Sequence, residues 1–283
     1  MKLDPRFNGR YVPGAGGTRL FVEEIGDRGK PSILWLHGYC QCRLAWDRQF
    51  EDHDLATRFH MVRIDLRGHG LSDKPTDAAA FRNGKDWADD VHAVITALQL
   101  RKPVLAGWSY GGYIICDYIR YYGQDNIGGI IHVASATEMG RDEANAMLGQ
   151  EFLQLVPGFF SNDYAEGSAA LQRLIELVPY EELDAHTFYF LMGFNAVTLP
   201  ASRTGMFTRQ LDNRELMQSI TVPTLIVQGN DDRIVLPSFA DHIARHIPHA
   251  QRASYDRCGH APFLEAPEQF NRDVVAFMQQ IHD

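Results

Sequence analysis

Along the chain, short unbroken apolar runs alternate with longer stretches in which apolar residues recur every three or four positions. Ser32-Ile-Leu-Trp-Leu36 is a continuous apolar run of the kind buried on both faces of a sheet, and Met61-Val-Arg-Ile-Asp65, the run entering Trp108, Ile127 to Ala134 and Pro223-Thr-Leu-Ile-Val-Gln-Gly229 predict further short strands. Between them Trp87, Val91, Val94, Ile95 and Leu98 keep helical spacing, and helices are also predicted over 46–59, after Ser109, over 237–247 and over 267–281. Residues 18–26 and the segment around Tyr11, separated by Pro13-Gly-Ala-Gly-Gly17, predict an antiparallel edge hairpin, and the sheet pattern continues after the 237–247 helix with Ser254-Tyr-Asp. Such alternation argues for a mostly parallel sheet covered by helices, with ligands at the carboxyl ends of its strands.

Residues 136–220 break the rhythm. No strand-like run occurs there, while Met147, Leu148, Phe152, Leu153, Leu171, Leu174, Ile175 and Leu191 suggest amphipathic helices. The expected organisation is therefore an α/β core over 1–135 and 221–283, interrupted by a helical cap over 136–220. There is no internal repeat and no low-complexity segment.

Composition narrows the partners. At 283 residues and 45% hydrophobic the chain can bury a sizeable core, and its formal charge of −9 without a Lys/Arg stripe speaks against nucleic acid. A neutral small molecule is the expected partner; the oligomeric state cannot be read from the residues. The start, Met-Lys-Leu-Asp-Pro-Arg-Phe-Asn, lacks the apolar core of a signal peptide and no run reaches bilayer length, so a cytoplasmic protein with no membrane partner is expected. Four cysteines (Cys40, Cys42, Cys116, Cys258) do not make a disulfide framework, and Cys40-x-Cys42 lacks a second ligand pair for zinc. His242, His246 and His249 are assigned to one helix without an H-E-x-x-H arrangement, which reads as a solvated face. Neither a metal nor a cofactor is expected.

The chemistry concentrates in Lys102 to Cys116, where an apolar run meets Gly107-Trp-Ser109-Tyr-Gly111 and then becomes helical. Strand, sharp turn and helix would push Ser109 out at the sheet edge, and the flanking glycines remove Cβ atoms that would clash. A serine hydroxyl needs a base and an anion to orient that base. Gly229-Asn-Asp231-Asp232 supplies two carboxylates after one strand, and Gly259-His260 a histidine after the next.

With His37-Gly38 and Asp65-Leu-Arg-Gly-His-Gly-Leu-Ser72 added to these motifs, the chain resembles the α/β-hydrolase superfamily over nearly its whole length. The resemblance implies an eight-stranded, mostly parallel sheet with a helical cap. It implies Ser109 as nucleophile, His260 as general base and then acid, and Asp232 as the orienting carboxylate, with Asp231 as the competing acid that caps the loop. Backbone N–H groups of Tyr39 and Tyr110 would form the oxyanion hole, His37 would shape that loop, and Asp65 and Arg67 would support the following one. Substrate contacts are expected from His37, Trp108, Phe194 and Phe263, most other cap aromatics serving the cap's own core.

The implied activity is hydrolysis of a carboxylic ester or lactone with an apolar portion. Carbon–carbon bond hydrolysis, cofactor-free perhydrolase or dioxygenase chemistry, and a hydrolase-like receptor are the alternatives. Serine at 109 argues against dehalogenases and epoxide hydrolases, which would require aspartate there. Gly38-Tyr39-Cys40 departs from the glycine-rich lipase loop and so disfavours bulky triglycerides.

Overall fold

In the computed structural model, which describes residues 6–282, eight strands form one sheet in the order β1-β2-β4-β3-β5-β6-β7-β8. They are β1 (Asn8–Pro13), β2 (Arg19–Ile25), β3 (Ser32–Leu36), β4 (His60–Asp65), β5 (Val104–Trp108), β6 (Gly129–Val133), β7 (Thr224–Gly229) and β8 (Gln251–Tyr255). β1 and β2 pair antiparallel, β2 joins β4 antiparallel, and every remaining pairing is parallel. Every residue of β3, β5, β6 and β7 is buried, which is why those segments are continuous apolar runs.

Helices cover both faces: α1 (Asp47–Phe50), α2 (His53–Arg58), α3 (Gly84–Ala97) and α4 (Gly111–Tyr122) come before β6. The helix expected over 46–59 is broken. A 3-10 turn over Arg43–Trp46 leads into α1, and the Asp52 carboxylate then accepts the Leu55 N–H (2.8 Å), capping α2 as a separate helix.

Between β6 and β7 the chain makes α5 (Asp142–Asn145), α6 (Gln150–Phe160), α7 (Tyr164–Leu177), α8 (Ala185–Ala196), α9 (Pro200–Phe207) and α10 (Arg214–Gln218). Two isolated bridges, Met139 with Leu211 and Leu148 with Val235, tie this insert to itself and to the core. The last helices are α11 (Pro237–His246), α12 (Pro262–Glu265) and α13 (Pro267–His282).

The histidines assigned to a solvated face do not form one. His242 is buried against the Glu138 carboxylate, and His249 lies beyond the end of α11 with a ring nitrogen on the Val222 carbonyl (3.0 Å). Helical spacing alone could not show that Glu138, more than a hundred residues upstream, would reach this helix.

Because β4 and β5 flank β3, the direction of winding reverses at β3, and the loops leaving β3 and β5 lie side by side at the carboxyl edge. The first carries His37 to Cys42 and the second carries Ser109.

Candidate active site

Ser109 is held in the left-handed region at φ 53°, a conformation that costs a non-glycine residue of order 1 kcal/mol or more and persists only where its surroundings enforce it. The enforcement is visible. Its N–H donates to Val133 O (3.0 Å), and its carbonyl accepts from the N–H groups of Gly112 (3.0 Å) and Ala136 (3.3 Å). A Cβ on Gly107 would sit 2.7 Å from the Gly111 carbonyl group, and one on Gly111 would sit 2.9 Å from Leu36 O, so helix, turn and strand close up only with glycine at both positions.

Of the two adjacent carboxylates, Asp232 meets the histidine. His260 Nδ1–H donates to Asp232 Oδ2 (2.7 Å), which also accepts from Gln228 Nε2 (3.1 Å). Asp232 Oδ1 accepts the N–H groups of Ile234 (2.8 Å) and Val235 (3.0 Å), so both oxygens of the buried carboxylate meet donors. Asp231 is exposed. The loop contact expected of its side chain is made instead by its backbone N–H, which donates to Cys258 O (2.9 Å).

Three groups fix the histidine loop from outside. Trp108, one residue before the serine, donates its indole N–H to the His260 carbonyl (2.8 Å). The Glu265 carboxylate accepts the N–H groups of Gly259 (3.0 Å) and Ala261 (3.1 Å), on either side of His260, and that of Tyr180 (2.7 Å). From the insert, Val178 O accepts the His260 N–H (2.7 Å), and Arg233 donates to the carbonyls of Glu176 and Pro179 (both 2.8 Å). The chain after α7 is thereby anchored to both loops. Gln228, Glu265 and Arg233 were missed by sequence reasoning. The only local signal is the position of Glu265, close enough along the chain to bend back onto its own loop.

Ser109 opens into a cavity of about 350 Å³ shared with Tyr39, Tyr110, Met139, Phe152 and Phe207. The backbone N–H groups of Tyr39 and Tyr110 have no acceptor among the described residues, while the Tyr110 hydroxyl is turned away to donate to Met206 O (3.1 Å) and accept from Arg209 (3.2 Å). A second cavity of about 290 Å³ is lined by Trp108 together with Leu44, Ile175, Phe190, Leu191 and Phe263.

Two residues expected to touch substrate do not line either cavity. Phe194 packs with Cys42, Ile175 and Leu191 in the core of the insert, because α8 turns that position inward against α7. His37 is wholly buried, with Nδ1–H donating to Gly38 O (2.8 Å) and Nε2 accepting the Leu66 N–H (3.0 Å). Burial holds its pKa down to about 4, so it is a neutral brace.

Asp65 accepts the Arg43 N–H and guanidinium (both 2.8 Å) and the Leu71 N–H (2.8 Å), and Arg67 forks onto Asp90 (2.6 and 2.8 Å). The first ties the loop after β3 to the end of β4, and the second ties the loop after β4 to α3. Cys40 and Cys42 are buried free thiols, and burial pushes Cys40 up to about 12, which leaves it unreactive as a nucleophile. Among the described residues no cluster of three or more His, Cys, Asp or Glu could hold a metal, and no helix is long and apolar enough to cross a membrane.

An outward serine on a strained strand–helix turn, an imidazole oriented by a carboxylate from the next loop and two idle N–H groups in an apolar cavity are the parts needed for acyl transfer. The alpha/beta hydrolase fold family matches residues 31–267, and the chain belongs to that family. Among individual proteins, the chain is 31% identical to an esterase from Rhodococcus sp. ECU1013, with a TM-score of 0.90 over 96% of this chain and 99% of that one. It is 30% identical to a putative aryl esterase from Burkholderia cenocepacia, with a TM-score of 0.88 over 97% and 99% of the two chains. An AB hydrolase superfamily protein of Bacillus subtilis, YisY, is 30% identical over 95% of this chain and 98% of its own length. The protein is thus an esterase-like α/β-hydrolase.

Proposed function

We propose that the protein is a serine hydrolase that cleaves a carboxylic ester of an apolar small molecule through an acyl-enzyme on Ser109. His260 takes the Ser109 proton as Oγ attacks the ester carbonyl, and the tetrahedral oxyanion accepts the N–H groups of Tyr39 and Tyr110. Collapse expels the alcohol with the proton held by His260. Water then attacks the acyl-enzyme by the same route, His260 again acting first as base and then as acid. Asp232 keeps Nδ1 protonated, so that Nε2 is the free base. Each oxyanion donor contributes on the order of 10²-fold to 10³-fold in turnover.

The observation that carries this reading is Ser109 itself, strained at φ 53° and opening into an apolar cavity whose two backbone donors are unspent. The esterase names of the similar proteins support an ester over a carbon–carbon bond. Two largely apolar cavities, one lined by Ser109 and one by its neighbour Trp108, suit an ester with apolar groups on its acyl and alcohol portions.

The test is turnover of a p-nitrophenyl ester series of increasing acyl length by wild type and Ser109→Ala, with lactone opening followed in parallel by pH. Ester turnover lost in Ser109→Ala is expected. Wild-type turnover that survives the substitution, or folded wild type without turnover on any ester, defeats the reading.

A further inference from the structure

The helical insert encloses a third cavity, of about 170 Å³, between the start of α7, the end of α8 and the start of α9. None of its lining residues lines the cavity of Ser109 or the one beside Trp108. Its wall is apolar at Leu171, Met192 and Leu199 and polar at Ser161, Asn162, Ser168 and Thr198.

Arg203, on α9, is the exception in this wall. It is 6% exposed, and its Nε and Nη1 are buried without an acceptor among the described residues. Every comparable arginine in the fold is compensated. Arg43 pairs with Asp65 and Glu23, Arg63 with Glu23 and Asp47, Arg67 with Asp90 and Arg209 with Asp117. The Arg203 charge is felt at Tyr39 and Cys40 of the neighbouring loop, but neither offers it an anion. Asp163 on the cavity wall is exposed and caps α7, accepting the N–H groups of Ala165 (2.8 Å) and Glu166 (3.1 Å). A guanidinium taken out of water without a counter-charge is strongly unfavourable, so a cavity left open beside one is a place for an anion.

We propose that this cavity binds a small carboxylate. Its oxygens lie along the fork of Arg203, and a short apolar tail lies against Leu171 and Met192. Nη1 of Arg203 lies 3.8 Å from the place of a Cβ on Gly167, which lines the same cavity. The assignment is independent of the chemistry at Ser109.

The test is thermal melting of the full chain in sodium butyrate, in butyramide as the uncharged analogue, and in sodium chloride at matched ionic strength. Wild type should melt higher in butyrate by about 5 °C near saturation, with no rise in butyramide. Arg203→Met should lose the butyrate response. Ser168→Glu, which adds a carboxylate to the wall of the same cavity, should melt above wild type in chloride and no longer respond to butyrate. A butyrate response that survives Arg203→Met locates the carboxylate elsewhere and overturns the proposal, as does a wild type that melts equally in butyrate and butyramide. Should Arg203→Met not fold, a Ser168→Glu protein with wild-type melting and an intact butyrate response overturns it equally.

Discussion

Replacing His132 by leucine should make the protein resist acid. His132 lies on β6 in register with Gly107, on the sheet face covered by α4, and both its ring nitrogens are buried without a partner among the described residues. Burial holds its pKa down to about 4 against an ordinary 6.5. A histidine depressed in the folded state is neutral there while the unfolded chain already binds a proton. Its contribution therefore costs nothing near neutrality and removes stability as the pH falls from about 6.5 towards 4. At about pH 5 the loss works out to roughly 2 kcal/mol, approaching ~3 kcal/mol when both states are protonated. Leucine fills a similar volume and cannot titrate.

Urea unfolding of wild type and His132→Leu, at about pH 7.5 and about pH 5, gives the test. The wild type should lose roughly 2 kcal/mol more than the variant between the two conditions. Equal pH dependence of the two proteins would refute the reasoning, because His132 would then not be the neutral, unpartnered group described. A residual acid sensitivity in the variant is expected from His37 and His69, which burial holds down to about 4 and about 3.

Three further outcomes are expected. Asp232→Asn should lower ester turnover by about 10⁴-fold and Asp231→Asn by far less, measured as kcat on a p-nitrophenyl ester. Trp108→Phe keeps an aromatic ring beside the second cavity but removes the donor to His260 O. Its kcat should fall about tenfold, with KM changed less, and a fall in KM alone would contradict the positioning role. Glu265→Gln weakens the clamp on Gly259, Ala261 and Tyr180, so the melting temperature should drop by roughly 5 °C and kcat should fall with it.

The core strands were legible because a strand buried on both faces has no polar side to interrupt it, as in Ser32 to Leu36 and Thr224 to Gly229. The break at Asp52 was not, because one side chain accepting one N–H outweighs an otherwise continuous helical pattern. At the site, glycine punctuation around Ser109 and the separate Asp and His loops could be read locally. Gln228, Glu265 and Arg203 could not. Gln228 meets the Asp232 carboxylate and backbone carbonyls, Glu265 meets backbone N–H groups and Arg203 meets no acceptor among the described residues, and all three outcomes depend on how the chain folds around them. Phe194 shows the same limit, since nothing in the spacing of the α8 aromatics says which faces a cavity and which faces α7.

The anchoring of the Glu176–Tyr180 segment bears on how the insert can be altered. Its carbonyls and one of its N–H groups are held by Arg233, His260 and Glu265, on the same two loops that carry the acid and the histidine. A movement of that segment would pull on those loops. Exchanging the whole insert with that of a relative would disturb the histidine unless Glu176 to Tyr180 and its three fasteners travel together. Changes confined to α6 and α8 leave that joint intact and are the freer route to a different substrate range.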